Sequence, residues 1–350
     1  MAKNLFQRII LPGLVLQSTM IGGGYATGRE LIEFFLKLGP LAALVAMLIS
    51  TLVISLVCIV AFEFARSFHT YDYRLFFQKL LGPGWIVFEI AYVAAILLVL
   101  SILGAASGEL VHNLLNIPAL WGTIFLMAAV GILVFYGSSV IEKFLSSWSL
   151  ILYIAYFALI IWSVVIFGSD ISSNITTNQQ PDIDMNTLSA GWSYASYNVV
   201  VFTAVLFVVR HFNSRSDSFW AGLLCGPLAM IPGFLLIIAM IAHYPNIIET
   251  SLPISYLLEK LQTPGFMLLF QVVIFGTFIE TGTAMLHSIN ERISAVYTQK
   301  SNKMPQYLRP IVAIVFLFVA IFLAESIGLV SLIGQGYSYS AYLFMAIFVI

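Results

Sequence analysis

Gly22-Gly23-Gly24-Tyr25-Ala26-Thr27-Gly28 lies in the middle of an apolar run, roughly 9–38, that otherwise reads as one membrane-spanning helix. Each glycine costs about 1 kcal/mol in a helix interior relative to alanine. In lipid, such a run would also bare backbone groups that no apolar neighbour can satisfy. The stretch therefore predicts that the helix unwinds here, beside a cavity that takes up the freed groups, and resumes near Ala26. Glycines also serve close helix packing, but packing motifs space small residues by four, and consecutive glycines fit a break better.

The rest of the chain supplies the membrane. Of 350 residues, 61% are hydrophobic and 9% charged, and the mean hydropathy is +1.00. A soluble domain typically carries about 25% charged residues, so most of this surface faces something other than water. A net charge of −1 gives nucleic acid no electrostatic footing. Cys58 and Cys225 sit in separate apolar runs, without metal or redox spacing, and read as small buried packing residues. The cationic N-terminus runs into the first span rather than into a signal peptide's short core and cleavage site.

A spanning helix needs about 20 mostly apolar residues. Ten segments qualify: roughly 9–38, 40–66, 84–113, 118–137, 145–168, 188–212, 217–243, 263–292, 307–324 and 326–350. The predicted fold class is all-α, a polytopic membrane protein with broken helices 1 and 6. Its single transmembrane domain spans 1–350, split into a first five-helix half (1–168), an outer loop (169–187) and a second, inverted half (188–350). The polar stretches 168–187 and 243–263 each have room for a short surface helix or a lid. Placing the N-terminus in the cytoplasm puts Lys3, Arg8, Arg66, Arg74, Lys79, Lys143, Arg210, Arg215, Arg292, Lys300, Lys303 and Arg309 inside. Only Arg29, Lys37 and Lys260 fall outside. This asymmetry supports both the helix count and the orientation. Ile350 ends an apolar run with no cationic tail, which leaves room for the natural chain to continue.

The sixth span carries a second candidate break at Gly191-Trp192-Ser193-Tyr194-Ala195-Ser196-Tyr197-Asn198, polar and aromatic within Val, Phe, Leu and Ala. An interfacial aromatic belt explains Trp192 and Tyr194 but not Asn198. Spans one and six are corresponding members of two five-helix halves. An odd number of helices per half forces an inverted repeat, and matched interruptions in such halves point to a transporter's binding site.

Met20 to Glu30, followed by Glu33-Phe34-Phe35, resembles the first helix of the YkvI-type bacterial membrane proteins, placed near the amino acid–polyamine–organocation superfamily. Thr283 to Arg292, ending Asn290-Glu291-Arg292, is similar to that family's eighth helix. The resemblance implies the leucine-transporter type of fold, with five plus five inverted helices. It further implies a bacterial inner membrane location, carriage of amino acids or similar small organic solutes, with Na⁺ or H⁺ as coupling ion, and a substrate seated between the two breaks.

On that expectation Gly22, Gly23, Gly24 and Tyr25 form one wall of the substrate site, and Ser196, Tyr197 and Asn198 the other. The resumed helix would present N–H groups and a positive dipole end to a substrate carboxylate. On the eighth span, Thr277, Glu280, Thr281, His287, Ser288 and Glu291 share one face at helical spacing. Glu280 at membrane depth is expensive unless it faces protein or water. It is a candidate coupling residue beside His287, or else a carboxyl held for structure alone. The resemblance implies that Thr281 is a Na⁺ ligand, with first-helix carbonyls near Met20 and Ile21 completing a candidate metal site. The relatives' second hydroxyl is replaced here by Gly282. Arg29 either forms an outer gate with Glu325 or pairs locally with Glu33. Glu109 and His112 either line an outer vestibule or sit at a solvated helix end. Gly334-Gln335-Gly336-Tyr337 reads equally as pathway wall or packing contact.

The function expected is secondary active transport of a small organic solute, an amino acid or related zwitterion, by cation-coupled alternating access. The alternatives are a proton-coupled carrier of another solute, or a substrate-binding sensor or channel without coupling. No nucleophile–base pair or His-Glu-x-x-His marks an enzyme, and no cofactor beyond the coupling ion is implied. Partners are the solute and the lipid bilayer, and the sequence does not set an oligomeric state.

Overall fold

Helices begin where the sequence supplies caps and end where it supplies left-handed residues. The Asp72 carboxylate accepts from the Leu75 N–H, Asp184 from Thr187, and Ser214 from Asp217. His69 and Asn116 close their helices at positive φ. A computed structural model describes residues 5–136, 138–177, 184–299, 304–305 and 307–349. Among them there is no β-strand, and the chain is an all-α polytopic membrane protein.

The first span is three pieces: α1 (Leu11–Met20), α2 (Gly23–Thr27) and α3 (Arg29–Phe34). Then follow α4 (Pro40–Phe68), the short amphipathic α5 (Tyr73–Leu81), α6 (Trp85–Leu115), α7 (Ala119–Tyr136) and α8 (Ser138–Thr177). The second half of the chain opens with α9 (Met185–Val199), which runs into a 3₁₀ helix, Val200–His211. It continues through α10 (Arg215–Ile241), α11 (Pro253–Lys260), α12 (Pro264–Gln299) and α13 (Leu308–Ile327). The last span is α14 (Leu329–Ser331), a π turn (Leu332–Gly336) and α15 (Tyr337–Val349). Among the described residues six stretches are long and apolar enough to cross a membrane alone, and the pair Met185–Thr203 and Val205–His211 adds a seventh, bent by 59°. The other three expected spans are the broken first, the shorter Ala119–Phe135, and the last, divided by its π turn.

Lipid-facing and buried faces follow residue size. On α4, Leu48, Leu52, Leu56 and Val60 recur every fourth residue and are 54–69% exposed, as a lipid-facing stripe should be. The opposite face of α4 meets α9 and α10 through small residues. Ser50 Oγ donates to the Gly191 carbonyl at 2.8 Å, and Ser55 Oγ to that of Leu223 at 3.0 Å. A Cβ on Gly226 would stand 2.2 Å from the Thr51 carbonyl oxygen. Lipid gives no hydrophobic drive between helices, so such close backbone approach holds them together. Gly226→Leu should therefore lower unfolding stability in detergent by about 1–3 kcal/mol or more. Thermal unfolding measures it, and an unchanged midpoint would refute the packing role. The two cysteines are free and buried on this same α4–α10 seam.

Three expectations need correction. The fifth span does not end at 168: α8 bends at Phe167 and continues to Thr177, so most of the expected loop is helix. The first break is narrower than expected, because the helix resumes at Gly23 rather than near Ala26. Only Ile21 and the extended Gly22 lie between the pieces. The sixth span does not unwind at Gly191–Asn198, which is continuous helix. Its Ser196 and Asn198 side chains donate to the carbonyls of Trp192 and Tyr194 on their own helix. The change of helix type comes after them, at Val200. In the stretch 243–263, the 3₁₀ turn Asn246–Glu249 and α11 fill the room the sequence left. Lys3, Lys300, Lys303 and the loop residues 178–183 lie outside the described residues, as do the side chains of Ser18, Lys143 and Glu291.

Candidate functional site

The interruptions in the first span bring a buried carboxylate back onto the helix it follows. Gly28 at φ 80° is the hinge, a conformation strained for any side chain. Thr27 spans it, donating to the Gly24 carbonyl at 2.9 Å and accepting from the Arg29 N–H at 3.3 Å. Beyond the hinge, the Glu30 side chain reverses toward Gly24, and a Cβ at residue 24 would lie 2.7 Å from Glu30 Oε2. Tyr197 on α9 donates to Glu30 Oε1. The Tyr25 N–H and the Tyr194 hydroxyl also lie against the carboxyl, although Tyr194 makes no well-formed hydrogen bond. Glu30 is 3% exposed.

Aromatic rings enclose this carboxyl. Tyr197 stacks on Tyr337 with centroids 4.5 Å apart and planes at 11°. Phe34 packs on both Tyr194 and Tyr197. Tyr337 follows the π turn of the last span, and its ring would lie 3.3 Å from a Cβ on Gly24. The first, sixth and last spans thus meet at one point, with Gly24 as the small residue that lets them.

On the other side of the break, a Cβ on Gly22 would lie 3.3 Å from the Thr281 methyl and 3.8 Å from its hydroxyl oxygen. The structure so brings Thr281 to the unwound Ile21–Gly22 link. Glu280 acts electrostatically on Tyr153, whose hydroxyl reaches Gln17 on α1 at 3.4 Å. Further along α12, Thr277 and Ser288 donate to carbonyls of their own helix, Val273 and Met285. His287 is half-buried two turns from Thr281.

Arg29 is not paired with Glu325. Its guanidinium is 4% exposed and donates to the carbonyls of Ile248 (2.8 Å) and Thr250 (2.7 Å) and to Glu33. Lys37 holds the other Glu33 oxygen at 2.6 Å. Glu325 lies within α13, and it accepts from Thr123 at 3.3 Å. The reason is reach: the 246–250 turn folds over α3 and supplies acceptors nearer than Glu325. His112 bonds the Ile117 carbonyl at 2.8 Å, next to the left-handed turn at Asn116, and Glu109 faces Ser251.

Of the residues expected to line the substrate site, Gly22, Gly24 and Tyr197 meet at the break, with Gly23 packed against Leu103 of α6. Tyr25 turns away: its hydroxyl fits against Gly233 of α10 and has no hydrogen-bond partner. Ser196 and Asn198 bond within their helix, as above. The expected anion site is taken by the protein itself. The resumed helix is only five residues long, too short for a sizeable dipole, and the Glu30 carboxyl faces its first turn. Sequence reasoning overlooked Glu30, although the argument applied to Glu280, a carboxylate at membrane depth, applies equally to it. The signal was the cation count: Arg29 and Lys37 both have Glu33 within reach, which leaves Glu30 with neither.

The fold is found in solved structures. A manganese transporter of Eremococcus coleocola, solved with an aromatic bis-isothiourea substituted compound, aligns over 97% of this chain and 76% of its own, with TM-score 0.52 and 14% identity. A histidine-to-alanine mutant of that transporter aligns over the same shares with TM-score 0.54 and 13% identity. A Na⁺-coupled sialic acid symporter in a substrate-bound outward-open state aligns over 98% and 85%, with TM-score 0.50 and 17% identity. These likenesses show the fold. No family model matches the sequence, and no curated protein matches it.

Proposed function

We propose that this protein is a secondary active transporter that moves a small organic solute, an amino acid or related zwitterion, by cation-coupled alternating access. The observation that carries the reading is the interrupted first span, whose break faces Glu30, Tyr197 and Tyr337 on one side and Thr281 on the other. Interrupted spans around a polar centre are what a membrane protein needs to bind a solute at mid-depth. The structural neighbours include a Na⁺-coupled symporter, which supports cation coupling. They also include a manganese transporter, so the fold leaves the solute open. One carboxylate among phenols suits an ammonium group better than a transition metal, which favours several imidazole, thiolate or carboxylate ligands. The solute's ammonium, not its carboxylate, is then the group that meets the protein at the first break.

In this reading Na⁺ sits at Thr281 with the carbonyls near Met20 and Ile21. The halves 1–168 and 188–350 move against each other, in a bacterial inner membrane with the N-terminus cytoplasmic. The test is the thermal stability of purified protein with a panel of amino acids and organic amines, with and without Na⁺. A ligand at 100 times its Kd adds about 2.7 kcal/mol. One amino acid should raise the midpoint, the rise should grow in Na⁺, and Thr281→Ala should remove the Na⁺ dependence while leaving the basal midpoint in place. No shift with any member of the panel, in folded protein, would sink the amino acid reading.

A further inference from the structure

The Glu30 carboxyl is held by phenols and backbone, with no cation. Among the described residues no Lys, Arg or His forms an ion pair with it. Around α3, α2 contributes Tyr25, α6 contributes Glu109 beside Arg29, α8 contributes Tyr156, whose hydroxyl donates to the Ala26 carbonyl, α9 contributes Tyr194 and Tyr197, the last span contributes Tyr337, the turn 36–38 contributes Lys37, which bonds Glu33, and the 246–250 turn contributes the exposed Glu249. On α3 itself, Arg29 is engaged by Glu33 and two carbonyls, as above. A charged carboxylate this deep, without a counter-ion, is costly. A positive charge in the site offsets part of that cost.

The two carboxyl oxygens are not equivalent. Oε1 accepts from Tyr197, while Oε2 lies against the backbone of Gly24, in contact with the place a side chain there would take. We infer that Glu30 carries a proton on its Gly24-facing oxygen and releases it only when a cation takes that place, so that the first break is a proton–cation exchange site. The cation class is a primary ammonium group. The step balances: the carboxyl O–H bond breaks, the proton passes to water, and the carboxylate left behind pairs with the incoming ammonium. The use of this exchange in transport rests on the transporter reading, but the exchange itself does not. It also moves proton coupling from Glu280 or His287, where the sequence placed it, to Glu30.

The test is infrared difference spectroscopy of the purified full chain. A protonated-carboxyl band that is absent from Glu30→Gln should be present at neutral pH, and Tyr197→Phe should shift its frequency by removing the hydrogen bond to Oε1. Ethylammonium chloride is the probe, with NaCl as the second arm. In the titration of that band, ethylammonium should lower the midpoint by about one pH unit per tenfold rise in concentration, the one-for-one linkage of two competing cations. An equal effect of NaCl would overturn the ammonium assignment, and a midpoint indifferent to both salts would overturn the exchange. Absence of the band from folded wild-type protein would overturn the protonated state. Failure of the transporter reading looks different: a band that responds to ethylammonium, in protein that moves none of the solutes that bind it across liposome membranes.

Discussion

Arg29→Ala should cost about 3–5 kcal/mol of stability, the range for removing one partner of a buried pair. The guanidinium binds three acceptors at once: the carboxylate of Glu33 on its own helix, and the carbonyls of Ile248 and Thr250 on the turn that leads to α11. Without it Glu33 keeps only the half-exposed Lys37, and two carbonyls lose their donor. Arg29→Lys should recover part of the loss, since an ammonium can replace the charge but not the forked geometry. Thermal unfolding in detergent gives the size of the effect. A loss below about 0.5 kcal/mol, the range of ordinary surface changes, would mean that the turn is held by something else. A cysteine placed at Ile248 gives a second readout: it should react faster with a water-soluble thiol reagent in Arg29→Ala than in the parent, because the turn is no longer tied to α3.

Gly24→Leu should abolish ligand-induced stabilisation altogether, removing the whole of the roughly 2.7 kcal/mol expected at 100 times Kd. Its Cβ alone would stand 2.7 Å from Glu30 Oε2 and 3.3 Å from the Tyr337 ring, and the rest of the side chain would fill the space between them. The helical circular dichroism should persist, since α2 gains a better helix former. Gly24→Ala should weaken the shift less, because the Glu30 carboxyl can swing by a few tenths of an ångström. A full ligand response in Gly24→Leu would remove the first break from the binding site.

The helices were legible in the sequence and the connections between them were not. Hydropathy counts residues that avoid water, so it found ten spans even where three of them are broken in the structure. The glycine run marked the first interruption because glycine's cost in a helix is local. The second was misplaced because polar residues in a helix have two ways to satisfy themselves. Ser196 and Asn198 could have lined a gap, but they bond the preceding turn. Nothing in Val200–His211, a run rich in valine and phenylalanine, announces a 3₁₀ helix. At the site, Thr281 and Tyr197 were found by position. Glu30 was hidden because its role depends on the reversal at Gly28, which folds residue 30 back over residue 24. Arg29 and Glu325 looked like partners only while the 246–250 turn had no place in space.

The change of helix type in the sixth span alters how far it reaches. A 3₁₀ helix rises about 2.0 Å per residue against 1.5 Å for an α-helix. Along their bent axis the twelve residues Val200–His211 therefore run roughly 24 Å, where an α-helix of the same length would run roughly 18 Å. The segment covers its part of the bilayer with about four fewer residues than an α-helix would need. Rewinding the part beyond the bend, Val205–His211, into α form would draw His211 toward the bend by about 3.5 Å. That end of the chain is tethered, since Asp217, three residues past Ser214, is bonded by both the Asn213 N–H and Arg8 at the start of the first span. A contraction of the sixth span would thus pull on the first.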